Sequence, residues 1–121
     1  QELFNFASKR VPEVVAQLLQ KANVARDEID WFLLHQANAM MQEHLRSKLN
    51  INRERTPVVM ADTGNTVSAS IPIAMVATAP RMRPAQRVML VGFGVGYSWG
   101  ACLLEWATIP TIGLGQERAD A

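Results

Sequence analysis

With 121 residues, 49% of them hydrophobic and 19% charged, the chain has the size and composition of one globular domain with its own core, not of a disordered segment. A net charge of +1 leaves no electrostatic footprint for nucleic acid. The single cysteine, Cys102, excludes an internal disulfide and a cysteine-rich zinc site, and it fits a reducing, cytoplasmic compartment.

Residues 3–22 carry apolar side chains at helical spacing (Phe4, Ala7, Val11, Val14 or Val15, Leu18, Ala22), and Pro12 either starts the main segment of this helix or kinks it. Asn23 and the charged run Arg26-Asp27-Glu28 close it. No basic segment leading into an apolar run opens the chain, so a signal peptide is not expected, and the abrupt start at Gln1 is what a piece of a longer protein would show. Ile29–Leu34 is apolar enough to predict a buried strand and not an exposed edge. Asn38–Leu49 returns to helical spacing through Met41, Leu45 and Leu49, with His44 and Lys48 off that face.

Asn50–Thr56 is a polar connection and Pro57–Met60 a short extended segment, a candidate strand. Val67–Ala79 is a helix of small and apolar residues with Pro72 near its start. Arg81, Arg83 and Arg87, around Pro84, read as a solvated loop. Arg87–Phe93 and Ser98–Trp106 form two antiparallel strands joined by a glycine turn. A membrane span over the same stretch is the alternative, but it reaches only about 17 residues before Glu105 and contains Gly92, Gly94, Gly96 and Gly100, each costly in a helix. The order of elements predicts an α/β domain over residues 1–107, a mixed sheet with helices packed on it, and a mobile tail over 108–121.

Chemistry concentrates in three places. His35-Gln36-Ala37-Asn38 stands where a strand gives way to a helix, whose positive end favours a neutral imidazole able to stabilise an oxyanion. Asn38 is the natural N-cap of that helix, its side-chain oxygen placed for the amide of Met40 or Met41. Asp62-Thr63-Gly64-Asn65-Thr66 is a second polar turn, in which Asn65 serves either as a turn residue or as an amide donor to a ligand. Gly92-Phe93-Gly94-Val95-Gly96 follows a strand, but strand-like Tyr97-Ser98-Trp99 comes next where a dinucleotide site needs a helix. Those glycines are expected instead to turn backbone N–H groups toward a site. Cys102, inside an apolar strand with no neighbouring cation, reads as a buried, inert thiol and a poor nucleophile, and Glu105 has no evident carboxylate partner. No metal site is expected.

Taken in order, Asp30–Asn38, Gly64–Pro72 and Gly92–Gly100 resemble the C-terminal part of the β-ketoacyl-acyl-carrier-protein synthase III family, condensing enzymes of the thiolase-like superfamily. The resemblance covers residues 1–107. It implies a fold of two similar halves, of which this chain is one. The reaction implied is a decarboxylating Claisen condensation of an acyl-CoA with malonyl-carrier protein, with no cofactor beyond the acyl-CoA substrate. By the match, His35 and Asn65 donate to the malonyl thioester oxygen, with Gln36, Asn38 and Gly64 supporting them. Backbone N–H groups of Gly94, Val95 and Gly96, above all that of Val95, form an oxyanion hole over the acyl thioester, and Phe93 lines the pocket near the sulfur. The implied partners are the acyl-carrier protein, the missing N-terminal half and a second copy of the parent. The family's nucleophilic cysteine belongs to the absent half, and Cys102 does not match it, so the chain alone should be inactive. Met40 stands where many relatives carry an arginine tied to carrier docking, and Val95 replaces a common glycine. Two other readings are a thiolase-like acyltransferase forming an ester or amide and a non-catalytic partner subunit.

Overall fold

Helix α1 (Glu2–Ala22) gathers its 3.6-residue repeat into one apolar stripe, burying Ala7, Val11 and Val15 with Phe4, Val14 and Leu18 packed beside them. Asn23 ends it in the left-handed conformation, φ 54°, which asparagine tolerates better than most residues. In this computed structural model, which describes residues 1–59, 64–65 and 67–107, Pro12 lies inside the helix instead of starting it. Proline has no N–H for the carbonyl four residues back, here that of Ser8. Lys48 Nζ donates to that carbonyl instead, at 3.2 Å. The Ser8 hydroxyl meets His44 Nε2 at 2.8 Å, and the His44 ring lies 4.4 Å from that of Phe4. His44 and Lys48, which spacing places off the apolar face of helix α2 (Ala39–Leu49), therefore join α2 to α1.

Three strands, β1 (Trp31–Leu34), β2 (Arg87–Gly94) and β3 (Ser98–Glu105), form a mixed sheet in that order. β1 runs parallel to β2, with Trp31 opposite Val88 and Leu34 opposite Val91. β3 returns antiparallel, with Arg87 opposite Glu105 and Gly94 opposite Ser98. The parallel pair requires a crossover, and the chain between β1 and β2 supplies α2 and α3 (Ser70–Thr78). Alternation along β1 sends Phe32 and Leu34 into one core with Val11, Val15, Met41 and Leu45. Leu33 goes the other way, to Val88 and Met82, with Met75 of α3 beside them. The sheet is thus covered on both faces, the expected layering of an α/β domain.

Four expectations are corrected in detail. β1 is shorter than Ile29–Leu34 and, among the described residues, is an edge strand; its apolarity is explained by helices on both faces, not by flanking strands. Pairing does continue beyond it, since Asp30 N–H donates to the Arg87 carbonyl at 3.0 Å and His35 N–H to that of Val91 at 2.9 Å. Residues 57–59 are not part of β1, β2 or β3, and Met60 lies outside the described residues. The helix expected over Val67–Ala79 divides into a 3-10 turn (Val67–Ala69), α3 and a second 3-10 turn (Ala79–Arg81). Pro72 falls in the first turn of α3, where a missing N–H breaks no helical bond. Cys102 is exposed: among the described residues β3 is an edge strand of the sheet.

The Val88–Glu105 stretch is the β2–β3 hairpin, and no helix among the described residues is long and apolar enough to cross a membrane. Asp62, Thr63, Thr66 and the expected tail, residues 108–121, lie outside the described residues. Asn38 caps α2 as its position predicts, Oδ1 accepting the Met41 N–H at 2.8 Å. Asn38→Ala is expected to cost about 1 kcal/mol of local stability. Hydrogen exchange at the Met41 amide of the intact protein should then speed up about five-fold, while exchange in the centre of β2 stays unchanged.

Candidate active site

His35 leaves the end of β1 half-buried, its backbone held by β2. Its ring is fixed from two sides. Nδ1 lies 2.6 Å from Ser70 Oγ, at the first residue of α3, and the ring of Phe93 packs against it edge-on, 5.2 Å between centroids at 86°. Burial pushes the imidazole below its ordinary value of 6.5, so it is neutral at pH 7. Burial thus acts in the direction the sequence reading expects, and the helix start that touches the ring is that of α3.

Gln36, fully buried, works as a clamp. Its Nε2 donates to the Leu34 carbonyl at 2.7 Å and its Oε1 accepts the Val59 N–H at 3.1 Å, which joins the end of β1 to the segment that leads toward Asn65. Gly64, at φ 67°, takes a left-handed turn that a side chain would strain. Asn65 follows it, exposed, with Oδ1 accepting the Val67 N–H at 2.9 Å. The amide oxygen is thereby engaged, and the NH2 group is the donor it presents. The two readings of Asn65, turn residue and donor, are compatible in one side chain.

His35 and Asn65 line the same open cavity of about 700 Å³, together with Phe93, Gly94 and Val95. Apolar side chains of Leu3, Val67, Ile71 and Trp99 complete much of its wall. The β2–β3 hairpin thus delivers the glycine turn to the histidine, as the motif order implies. Gly96, at φ 146°, shapes that turn from outside the lining. A Cβ there would meet Ser98 Oγ at 3.3 Å, a tight contact, and the positive φ strains any side chain at the position. Val95 is 83% exposed beside the cavity and Met40 71% exposed at the start of α2. Cys102 is not part of the lining. Ser70 was not singled out by its sequence position: a serine among Ser68, Ala69 and Ile71 carries no signal until the fold brings His35, 35 residues earlier, against it.

Comparison with known proteins agrees with this arrangement. The family described as 3-oxoacyl-[acyl-carrier-protein (ACP)] synthase III C terminal matches residues 19–106. A beta-ketoacyl-[acyl-carrier-protein] synthase III of Synechococcus elongatus is 40% identical over 111 residues, covering 90% of this chain and 33% of the relative. A crystal structure of a 3-oxoacyl-(acyl-carrier-protein) synthase III superposes with a TM-score of 0.84 at 41% identity, covering 87% of this chain and 32% of that one. The corresponding structure from Thermus thermophilus gives a TM-score of 0.84 at 34% identity, over 89% of this chain and 34% of that one. The chain therefore spans about a third of the length of the relatives it matches, less than the half that the motif resemblance implies. With its mixed sheet, its three motif blocks and these matches, the chain belongs to the C-terminal family of the 3-oxoacyl-acyl-carrier-protein synthases III, on a thiolase-like fold.

Proposed function

We propose that this chain supplies the enolate-stabilising part of a decarboxylating Claisen condensation between an acyl-CoA and malonyl-carrier protein. The observation that carries the reading is a pair of half-engaged side chains on one cavity: Ser70 occupies Nδ1 of His35 and the Val67 amide occupies Oδ1 of Asn65. Each is left with one nitrogen to offer a substrate oxygen. Two neutral donors suit a thioester oxygen as it takes on negative charge.

In this reading malonyl thioester loses CO2, and the electron pair of the broken C–C bond moves onto the thioester oxygen facing His35 and Asn65. The enolate carbon then attacks an acyl thioester carried by a cysteine from the rest of the parent protein. A C–C bond forms, the C–S bond breaks and the cysteine thiolate leaves. Backbone N–H groups of the Gly94–Gly96 turn, principally that of Val95, hold the second oxyanion, and Phe93 lines the cavity near the sulfur. The parent works in the cytoplasm as a homodimer with the acyl-carrier protein, and without its remainder this chain is inactive. The names of the relatives support this assignment.

Asn65→Ala in the intact parent tests it. Decarboxylation of malonyl-carrier protein should fall by roughly 10²-fold or more, the effect of losing one oxyanion donor, while acyl transfer from acyl-CoA proceeds at its original rate. Equal loss of both steps would refute the assignment.

A further inference from the structure

We propose that Ser70 is a positioning residue that fixes the tautomer of His35, keeping the ring proton on Nε2, the nitrogen offered to substrate. The inference rests on the condensing-enzyme reading above and deepens it. Ser70 is 2% exposed, and its Oγ makes two contacts: 2.6 Å to Nδ1 of His35 and 3.3 Å from the Gln36 backbone N–H. A hydroxyl has one proton and two lone pairs. The Gln36 N–H can only donate, so it occupies a lone pair. Among the described residues the hydroxyl proton has one acceptor, Nδ1 of His35. An Nδ1 that accepts cannot carry the proton of a neutral ring, and Nε2 must carry it.

The consequence for chemistry is direct. An Nε2–H donates to a developing oxyanion, whereas the other tautomer would aim a lone pair at the same charge. Ser70 is itself held by the backbone of Gln36, whose side chain ties the end of β1 to Val59. One buried junction therefore sets the ring's position and its proton. Phe93, with no polar atom to offer the ring, fixes its plane only.

The test uses the intact parent enzyme with ¹⁵N-labelled histidine, as wild type and as Ser70→Ala, Ser70→Thr and His35→Ala. Wild-type His35 should show a protonated Nε2 and a bare Nδ1. Ser70→Ala should shift both ring signals toward a mixture of tautomers and lower malonyl decarboxylation about 10-fold, the scale of losing a group that orients a functional histidine, with acyl transfer unchanged. Ser70→Thr, which keeps the hydroxyl, should restore the spectrum and the rate. A wild-type proton on Nδ1 overturns the proposal. So does a Ser70→Ala ring spectrum identical to wild type, which would leave Ser70 a structural role only. Should Ser70→Ala fail to fold, the wild-type spectrum and Ser70→Thr still decide. If His35→Ala itself leaves decarboxylation intact, the condensing-enzyme reading is what fails, since the ring signals report the tautomer whatever the reaction.

Discussion

Replacing His35 by alanine in the intact parent is expected to reduce malonyl decarboxylation by roughly 10²–10³-fold and to leave acylation of the enzyme untouched. The loss corresponds to about 3–4 kcal/mol of transition-state stabilisation from one donor. Neither neighbour of the ring replaces it: Ser70 is committed to Nδ1, and Phe93 offers an apolar edge. The pH dependence follows from the buried ring. Its folded pKa lies below the ordinary 6.5, so between those two values the unfolded chain binds a proton that the folded chain does not. Stability contributed by this group therefore rises with pH up to about 6.5 and is lost as pH falls below it. The acid limb of decarboxylation attributable to His35 lies below 6.5 for the same reason, and His35→Ala should remove it. Denaturation across pH checks the first point, and each half-reaction measured separately across pH checks the second. An acid limb that persists unchanged in the residual activity of the variant would count against His35 as its source.

Phe32→Ala carries the largest expected structural effect. Phe32 is fully buried, the largest such side chain among the described residues, and belongs to the core shared by α1, α2 and the sheet. Truncation removes its transfer free energy and leaves a cavity that the close-packed neighbours Val11, Val15 and Leu45 fill only partly, for a cost of about 3–5 kcal/mol. That is a large fraction of the roughly 5–15 kcal/mol that holds a domain folded. Val58→Ala is the control: Val58 is 49% exposed, and its truncation should change stability by less than about 0.5 kcal/mol. Equilibrium denaturation followed by the three tryptophans separates the two, and a Phe32→Ala variant within 1 kcal/mol of the control would contradict this account of the core.

How much of this was legible in the residues varied with the range of the interaction concerned. α1, α2 and the β2–β3 hairpin are strongly periodic or strongly punctuated, so Asn23, Asn38 and the glycine turn could be placed at their ends directly. Residues 57–59 misled because a short extended segment is identified as a strand only by the neighbour it pairs with. Cys102 misled for a related reason: an apolar run around a residue does not say whether a helix covers that part of the sheet. His44 and Lys48 looked like solvent-face residues, yet the carbonyl released by Pro12 and the hydroxyl of Ser8 gave them partners on another helix.

The sequence by itself determined the local matters: which segments are helical, where they are capped, and that His35, Asn65 and the glycine turn are polar or conformationally special groups set at element ends. These depend on side-chain period, on φ and on hydrogen bonds a few residues apart, all carried by neighbours along the chain. Only the tertiary structure decided that His35 and Asn65 share a cavity, that burial lowers the pKa of the imidazole, and that Ser70 occupies one of its nitrogens. Desolvation and long-range hydrogen bonds exist only once β1, β2 and α3 have packed, because the groups that exclude water from a side chain are distant from it in sequence.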